Sequence, residues 1–317
     1  MNKLFIPVIL CIVFLVSACG NQTSNNAGKS EGASPESSSS KTSGKSGTVI
    51  YQSEEGPIEV PANPKRVVVL TRFLTGNVMA LDVPLVGVDD MSKSNPRFAD
   101  KLKNVETIST ESLEKILELQ PDLIIGLSGI KNIDMFKKIA PTVTFTYGQV
   151  DYLTQQLEIG KLLNKEKEAK AWVDDFRARA QKAGAEIKAK IGNDATVSVI
   201  ETFNKKLYVY GYNFGRGTEI LYNEFKLGMP EKVQEATKKD SFAAISTEVL
   251  NDYFADYVIF SKNVDEDSSF QSSEVYKSIP AVKNNRVFEV DAKTFYFRDP
   301  LSLEYQLDFF IKSFMGK

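Results

Sequence analysis

Apolar positions along the chain form short runs that alternate with helical stripes. Runs typical of buried strands occupy residues 67–70, 85–88 and 123–127, and stretches between them, such as 112–119, repeat apolar side chains every three or four positions. A similar alternation begins after Gly192. Strands that alternate with helices predict parallel sheets whose faces helices cover. We therefore expect an α/β fold with two lobes, each built on a mainly parallel sheet.

One charged segment separates the two patterns. Residues 165–192 are rich in Ala, Lys and Glu, and apolar side chains such as Trp172 and Phe176 recur at helical spacing. A helix of this length would span roughly 40 Å. We expect it to bridge an N-terminal lobe, residues 48–164, and a C-terminal lobe, residues 193–317, with its apolar stripe in the core.

The first 47 residues have a different composition from the rest. In residues 1–18 Lys3 precedes a continuous apolar run that ends in small residues, which is the pattern of a secretory signal peptide. Residues 19–47 are rich in Ser, Asn and Gly and contain almost no large apolar side chains, so they cannot bury enough surface to fold. This part of the sequence predicts a cleaved leader followed by a disordered tether.

Cysteine and histidine usage narrows the possible chemistry. The chain has two cysteines, Cys11 in the leader and Cys19 directly after it, and it has no histidine. The folded part therefore lacks a disulfide, a thiol nucleophile and every His-containing metal site or catalytic triad. A formal net charge of −2 gives no electrostatic footprint for nucleic acid.

Aromatic side chains and arginines occur together in the loops that follow predicted strands. Ligands of open parallel sheets bind beyond the carboxyl ends of the strands, and there the chain places Arg72 with Phe73, the stretch YGYNFGRG (210–217) and the stretch TFYFRDP (294–300). Alternation along residues 206–210 directs the side chains of Tyr208 and Tyr210 to the same face. We expect them to face a cleft between the lobes.

Arg216 is the clearest candidate for a polar ligand contact. It lies between Gly215 and Gly217, whose missing side chains would let a ligand approach closely. An arginine in such a loop is expected to have little role in stability, so its replacement by Ala should weaken binding and leave the melting temperature nearly unchanged.

Several stretches resemble the iron-siderophore-binding lipoproteins of bacterial ABC importers, specifically the ferric-hydroxamate type. They are PANPKRVVVL, LEKILELQPDLIIGLS, KKIAPTV, DATVSVIETFNKKLYVYGYNFGRGTEILY and TFYFRDP, together with the tether and the lipobox-like VSAC that ends at Cys19. The resemblance runs from about residue 60 to the C-terminus. It implies the class III periplasmic-binding-protein architecture, in which one long helix bridges two α/β lobes around a shallow cleft.

The resemblance also implies a function and residue roles. The protein would be a monomeric receptor, lipid-anchored through Cys19 to the extracytoplasmic face of the cell membrane, that binds ferric hydroxamates and delivers them to an ABC permease and its ATPase. Ligand contacts carry over to Tyr208, Phe214, Arg216 and Tyr296; relatives have tryptophan where this chain has Phe214 and Tyr296. Together with the loop and alternation arguments, the candidate ligand-binding residues are Arg72, Phe73, Tyr208, Tyr210, Phe214, Arg216 and Tyr296.

Two glutamates and the metal complete what the resemblance implies. Glu114 and Glu248 correspond to carboxylates that pair with permease arginines, although a helix N-terminus also favours a carboxylate on its own. The siderophore fills the coordination sphere of Fe(III), so no cofactor and no direct protein ligand to the metal is expected.

Alternatives remain at this stage. A ferric catecholate carries about three negative charges and would need a ring of cations, for which the candidates are Arg72, Lys93, Arg97, Arg216 and Arg298. A citrate-type siderophore is a further alternative, and cobalamin or haem are carried by similar architectures. A surface hydrolase could use Asp89 with Asp90, or Glu201, but nothing places an acid and a base around one bond. We therefore expect a binding protein and not an enzyme.

Overall fold

The structure, a computed structural model, describes residues 47–316 of the 317-residue chain. All of these residues lie within one compact unit. The predicted signal peptide, Cys19 and the predicted tether up to residue 46 lie outside the described residues. Within residues 47–316 no helix is both long enough and apolar enough to cross a membrane.

The strands of the described chain form one hairpin and two five-stranded sheets. They are β1 (Thr48–Ser53), β2 (Gly56–Pro61), β3 (Val67–Val69), β4 (Leu85–Val88), β5 (Glu106–Thr107), β6 (Leu123–Leu127), β7 (Thr142–Phe145), β8 (Val197–Phe203), β9 (Lys206–Tyr210), β10 (Phe242–Ile245), β11 (Tyr257–Lys262) and β12 (Val287–Asp291).

The α-helices cover the faces and ends of these sheets. They are α1 (Arg72–Met79), α2 (Asp90–Ser94), α3 (Ala99–Leu102), α4 (Leu113–Glu118), α5 (Ile133–Ile139), α6 (Tyr152–Leu162), α7 (Glu166–Ile191), α8 (Glu231–Thr237), α9 (Leu250–Tyr253), α10 (Glu274–Ser278), α11 (Pro280–Lys283), α12 (Ala292–Phe295) and α13 (Pro300–Met315). A π-helical turn covers Glu219–Glu224, and 3-10 turns cover Thr247–Val249 and Ser269–Ser272.

The N-terminal sheet is parallel throughout, with the strand order β5-β4-β3-β6-β7. Side chains on its strands alternate between two separate cores: Val67 and Val69 enter one, and Val68 enters the other. Alternation of this kind follows from the pleat of the strand. Because both faces are covered, the strands are continuous apolar runs, which is the pattern that predicted them.

The C-terminal sheet is mixed, with the order β10-β9-β8-β11-β12. Strands β8, β11 and β12 are parallel, whereas β9 and β10 run antiparallel to their neighbours. Asn204 and Lys205 join β8 to β9, and both have positive φ angles, 50° and 60°. A two-residue turn of this type forces the next strand to return antiparallel. The hairpin thereby brings Tyr208 and Tyr210 back alongside β8.

The 26-residue helix α7 connects the lobes, as the sequence predicted. Its side chains Val173, Phe176 and Ala180 are buried in the core of the C-terminal lobe, and Gly184 lies so close to the backbone of Phe225 that a β-carbon would come within 2.5 Å of it. The helix ends at Gly192, which has a φ of 108°. The long bridging helix and the two-lobe α/β fold are confirmed.

The lobes also touch each other directly near the start of α13. The ring of Phe297 stacks on Phe98 at a centroid distance of 5.9 Å, inside a small core that includes residues of the N-terminal lobe. The carboxylate of Asp299, which caps α13, occupies the space that a β-carbon on Gly76 would need, 2.1 Å away. These contacts fix one edge of the cleft.

Candidate functional site

A cavity of about 220 Å³ lies between the lobes at the carboxyl ends of several strands. Arg72 and Phe73 reach it from the start of α1 after β3, and Tyr147 reaches it from the loop after β7. The C-terminal lobe supplies most of the remaining wall. The cavity is lined by Arg72, Phe73, Met91, Tyr147, Phe203, Tyr208, Tyr210, Phe214, Gly215, Arg216, Phe242, Tyr296, Phe297 and Arg298.

All seven residues that the sequence predicted as ligand contacts line this one cavity. They come from the first turn of α1, from strand β9 and from two separate loops, so the fold brings them together. Tyr208 and Tyr210 both face the cavity, as their alternation on β9 predicted, while Leu207 and Val209 are buried in the core. Contact of these residues with a ligand stays a prediction.

Arg216 forms a buried ion pair with Glu201, which lies on β8. The Nη2 atom of Arg216 is 2.8 Å from Oε1 of Glu201, and Nε is 3.1 Å from Oε2. Glu201 is fully buried, and its carboxylate also accepts hydrogen bonds from the hydroxyls of Tyr210 and Ser261. Burial opposes the charged form of the guanidinium, but the charge and hydrogen bond of Glu201, together with the neighbouring Tyr210 and Tyr296, outweigh burial and raise the pKa of Arg216 above its usual value. The arginine is therefore charged and fixed in one orientation.

Three aromatic rings surround the guanidinium of Arg216. Its Cζ atom lies 4.5 Å from the ring centroid of Tyr210, 4.8 Å from that of Tyr296 and 5.7 Å from that of Phe214. These distances fall within the range of cation–π attraction. Burial, together with the charge of Glu201, raises the pKa of Tyr296 to about 12. The Tyr296 hydroxyl therefore keeps its proton at neutral pH and can donate a hydrogen bond.

The glycines beside Arg216 have a different role from the predicted one. A β-carbon on Gly215 would lie 2.3 Å from the carbonyl oxygen of Tyr296, and one on Gly217 would lie 2.3 Å from the ring of Phe310. The close approach that these glycines permit is thus made by the protein's own segments. Both glycines and Arg216 itself have positive φ angles, 76°, 81° and 57°, so the loop bends sharply and turns Arg216 towards Glu201.

Two further arginines line the cavity. Arg298 lies over the ring of Tyr147 at 4.6 Å, and its Nη1 atom is 3.9 Å from Oε1 of the fully buried Glu219. Arg72 lies over the ring of Phe73 at 4.8 Å. Each of the three guanidinium groups in the cavity wall therefore packs over at least one aromatic ring.

The ring of cations proposed for a catecholate is incomplete. Lys93 points away from the cavity, since its Nζ donates to the backbone carbonyls of Leu102, Lys103 and Val105. Arg97 lies over the ring of Tyr305 at 4.2 Å and does not line the cavity. Only three of the five predicted cations reach the site.

Sequence reasoning missed part of the wall. Tyr147 lies two residues after the short strand 142–145, whose sequence TVTF is rich in β-branched residues, and a strand of this kind followed closely by Tyr-Gly is a signal that could have found it. Phe242 begins the edge strand β10 and contacts the rings of Phe214 and Tyr210 at 4.9 and 6.5 Å. No local pattern singles out Phe242, because only the pairing of β10 with β9 brings it to the cavity.

The carboxylates considered for hydrolysis have structural partners. Asp89 caps α2 by accepting hydrogen bonds from the backbone N–H and the hydroxyl of Ser92. Glu201 forms the ion pair with Arg216. Among residues 47–316 no group of three or more His, Cys, Asp or Glu side chains could hold a metal ion. None of the described residues that line the cavity has an acidic side chain.

Glu114 and Glu248 are both exposed, and each lies in a helical turn of its own lobe. Glu114 is in the first turn of α4 and Glu248 is in the 3-10 turn Thr247–Val249. Each of these turns precedes an interior strand of its sheet, β6 or β11. A hydrogen bond from Ser246 lowers the pKa of the Glu248 carboxyl.

Comparison with known proteins identifies the class to which this two-lobe fold belongs. Residues 67–294 match the family described as periplasmic binding protein. The chain belongs to this family, whose members are extracytoplasmic substrate-binding components of ABC importers. Its function is therefore binding and not catalysis, which confirms the expectation from the sequence.

Individual relatives are similar over nearly the whole chain. The iron(3+)-hydroxamate-binding protein YxeB of Bacillus subtilis (strain 168) is 34% identical, over 97% of this chain and 94% of the relative. The iron(3+)-hydroxamate-binding protein FhuD of the same organism is 33% identical, over 96% and 95%. The structure of FhuD2 from Staphylococcus aureus with bound ferrioxamine B has a TM-score of 0.76 and 35% identity, and the match covers 80% of this chain and 99% of that one.

Proposed function

We propose that the protein is a receptor that binds ferric hydroxamate siderophores in the cavity between its lobes and delivers them to an ABC permease for iron uptake. The observation that carries this proposal is the arrangement at Arg216, where one fixed guanidinium lies among three aromatic rings and no described residue of the cavity wall is acidic. The relatives named for iron(3+)-hydroxamate binding support the same ligand class.

The chemistry of a ferric trihydroxamate suits this wall. Three hydroxamates neutralise and fully coordinate Fe(III), so the complex is close to neutral, has an apolar backbone and keeps partial negative charge on its oxygens. Aromatic faces cover apolar backbone, and an arginine donates to oxygens. The protein supplies no ligand atom to the iron, which is compatible with a chain that has no histidine.

Arg216 retains donors for such oxygens. A guanidinium has five N–H groups, and three of them are used within the described residues, two by Glu201 and one by the carbonyl of Phe214. The remaining two, one on each terminal nitrogen, are available to a ligand. The hydroxyls of Tyr208 and Tyr296 make no hydrogen bond with another described residue and add two further donors.

The remaining roles follow from the same proposal. Glu114 and Glu248 would pair with basic side chains of the permease, because both are exposed carboxylates at matching places in the two lobes. Lipidation of Cys19 would anchor the receptor on the extracytoplasmic face of the cell membrane, where it acts as a monomer. The lobes would comprise residues 48–164 and 193–317, with residues 165–192 as the bridge.

A titration of the purified protein with one complex from each siderophore class tests the proposal. We expect quenching of tyrosine emission by a ferric trihydroxamate, because four tyrosines line the cavity, and much weaker binding of the same siderophore without iron. Preference for a ferric tris-catecholate or a ferric citrate complex would replace the ligand class. Failure of every ferric complex to bind would overturn the proposal.

A further inference from the structure

Arg72 differs from the other two arginines of the cavity wall in having no carboxylate partner. Arg216 is paired with Glu201 at 2.8 Å, and Arg298 lies 3.9 Å from Glu219. No carboxylate oxygen of residues 47–316, in contrast, lies within 4.0 Å of the guanidinium nitrogens of Arg72. Of the three, Arg72 alone carries a positive charge that no described carboxylate balances at short range.

The hydrogen-bond donors of Arg72 are unused as well. Its guanidinium donates no hydrogen bond to another described residue and packs over the ring of Phe73, 4.8 Å from the centroid. Asp89, which follows the adjacent strand β4, uses its carboxylate to accept hydrogen bonds from the backbone N–H and the hydroxyl of Ser92. All five N–H groups of Arg72 are thus available to a ligand.

Tyr147 adds a second donor beside Arg72. Both side chains pack on the same ring, since the ring centroid of Tyr147 lies 4.6 Å from that of Phe73. The Tyr147 hydroxyl makes no hydrogen bond with another described residue. The N-terminal lobe therefore presents a guanidinium and a hydroxyl around one aromatic ring, in a wall whose described residues include no acidic side chain.

We propose that Arg72 and Tyr147 form a subsite for a carboxylate that the siderophore carries in addition to its iron-binding groups. The subsite rests on the proposed function and defines the preferred ligands more narrowly, as ferric hydroxamates with a free carboxylate. The parallel N–H groups of a guanidinium match the two oxygens of a carboxylate, and such charge-assisted hydrogen bonds are stronger than neutral ones. A hydroxyl donates to the same oxygens.

The other wall arginines act in the same direction as the subsite. Arg216 and Arg298 line the cavity, whereas Glu201 and Glu219 do not. An anion in the cavity is therefore nearer to the positive charges than to the carboxylates behind them, and the closer charge has the larger effect. A negative charge on the ligand is attracted from all three arginines.

The exposure of Arg72 sets the expected size of the effect. The residue is exposed, and a fully exposed ion pair contributes little to binding. A bound complex would displace water from the aromatic wall around this arginine and thereby strengthen the pair. We therefore expect a preference of about threefold to tenfold in the dissociation constant.

The first test compares two ferric complexes on the unmodified protein. Desferrioxamine B is acylated at its free amine with a succinyl group, which gives the ferric complex one negative charge, or with a succinamoyl group, which is the uncharged amide of nearly the same shape. The dissociation constant of the succinyl complex should be about threefold to tenfold smaller. Because the difference is electrostatic, the ratio should decrease as the salt concentration is raised.

The second test identifies the residues responsible. In Arg72→Gln the two dissociation constants should agree within about 1.5-fold, and Arg72→Lys, which keeps the charge without the planar fork, should retain part of the preference. Tyr147→Phe keeps the ring against Phe73 and removes the hydroxyl, so it should reduce the ratio by a smaller amount. Arg177→Gln, which removes an exposed arginine of α7 that does not line the cavity, is the matched control and should keep the full ratio.

The outcomes separate the subsite from the proposed function. Equal binding of both complexes by the unmodified protein, or a ratio that Arg72→Gln leaves unchanged, overturns the subsite and leaves hydroxamate binding intact. An unchanged ratio in Tyr147→Phe removes the tyrosine from the subsite. Failure of the unmodified protein to bind either complex overturns the subsite and the proposed function together.

Discussion

Glu201 and Arg216 form a two-point ion pair beneath the cavity, with nitrogen-to-oxygen distances of 2.8 and 3.1 Å and only 12% of the arginine side chain exposed. The pair gives the site a donor that is oriented before any ligand arrives. Binding to a preorganised group loses less side-chain entropy than binding to a mobile one. The ion pair thus links the fold of the C-terminal lobe to recognition at its surface.

Replacement of Arg216 by Ala should destabilise the protein as well as abolish binding. Removal of one partner leaves Glu201 buried without its countercharge, which costs about 3–5 kcal/mol in the free energy of unfolding. This outcome differs from the sequence-based expectation of an unchanged melting temperature, because the sequence does not show that the arginine is buried. Denaturant unfolding measures it.

Arg216→Lys separates charge from geometry in the same position. Lysine keeps a cation near Glu201 but lacks the planar fork, so we expect it to recover part of the stability lost in the Ala variant while ligand affinity stays at least about tenfold below that of the unmodified protein. An Ala variant within about 1 kcal/mol of the unmodified protein would show that the pair contributes little to the fold.

Phe242 should contribute to ligand affinity although the sequence did not point to it. The residue is 37% exposed, and its ring lines the cavity and packs against Phe214. Truncation to Ala should weaken binding of a ferric trihydroxamate by about 1 kcal/mol, or roughly fivefold, from the lost aromatic contact. Calorimetric titration provides the value.

Tyr212→Ala is the matched control for Phe242→Ala. Tyr212 is an exposed aromatic residue of the neighbouring loop that packs on Tyr222 and does not line the cavity. Its removal should leave the dissociation constant unchanged. An equal loss of affinity in both variants would indicate a general effect on the loop and would remove the specific role of Phe242.

Conversion of Glu114 and Glu248 together to Ala should leave ligand binding intact and reduce iron uptake by cells. Both side chains are exposed, so their loss should not disturb the fold, and only the proposed pairing with the permease would be affected. Uptake of a radioactive ferric trihydroxamate is the measurement. Asp100→Ala on α3 with Glu231→Ala on α8, two exposed carboxylates on other helices of the same lobes, is the control pair, and equal uptake by both double variants would dismiss the docking role.

Asp299 should make stability depend on pH in a defined direction. Burial raises the pKa of its carboxyl above the ordinary value of 3.8. Between the unfolded-state and folded-state values the native protein holds a proton that the unfolded chain has released, so a rise in pH through this window favours unfolding. The contribution of Asp299 to stability is therefore greatest below pH 4 and declines as the pH rises above that value.

Comparison of the unmodified protein with Asp299→Asn isolates this contribution. The free energy of unfolding of the unmodified protein should fall relative to that of the Asn variant as the pH increases from about 4 upwards, by at most about 1.4 kcal/mol per pH unit for one proton. A difference between the two proteins that is constant with pH, or that changes in the opposite direction, would contradict the raised pKa.

Much of the fold could be predicted from the sequence because its strongest features are local. Burial of a single element produces the apolar runs at residues 67–70 and 123–127 and the apolar stripe on α7. The spacing of apolar residues within one segment is therefore enough to predict these elements. The antiparallel strands β9 and β10 were not predicted as such, since their direction depends on the two-residue turn at Asn204 and Lys205. The hairpin of β1 and β2 was also not predicted, because half-buried strands show only a weak alternation of apolar and polar residues.

The cavity could be predicted only in part for a related reason. Loop position and alternation identified Tyr208 and Arg216, but neither the ion pair with Glu201 nor the approach of Phe242 has a local signal, because each joins residues from different strands. The glycines around Arg216 were correctly noticed and wrongly interpreted: their missing side chains make room for Tyr296 and Phe310 of the protein itself.

A crystal structure of the protein with a ferric trihydroxamate, in which anomalous scattering locates the iron, tests the central claim most directly. The account predicts a single strong iron peak inside the cavity bordered by Tyr208, Arg216 and Tyr296, with the terminal nitrogens of Arg216 turned to the hydroxamate oxygens. A peak outside this cavity, or iron coordinated directly by protein side chains, would contradict it.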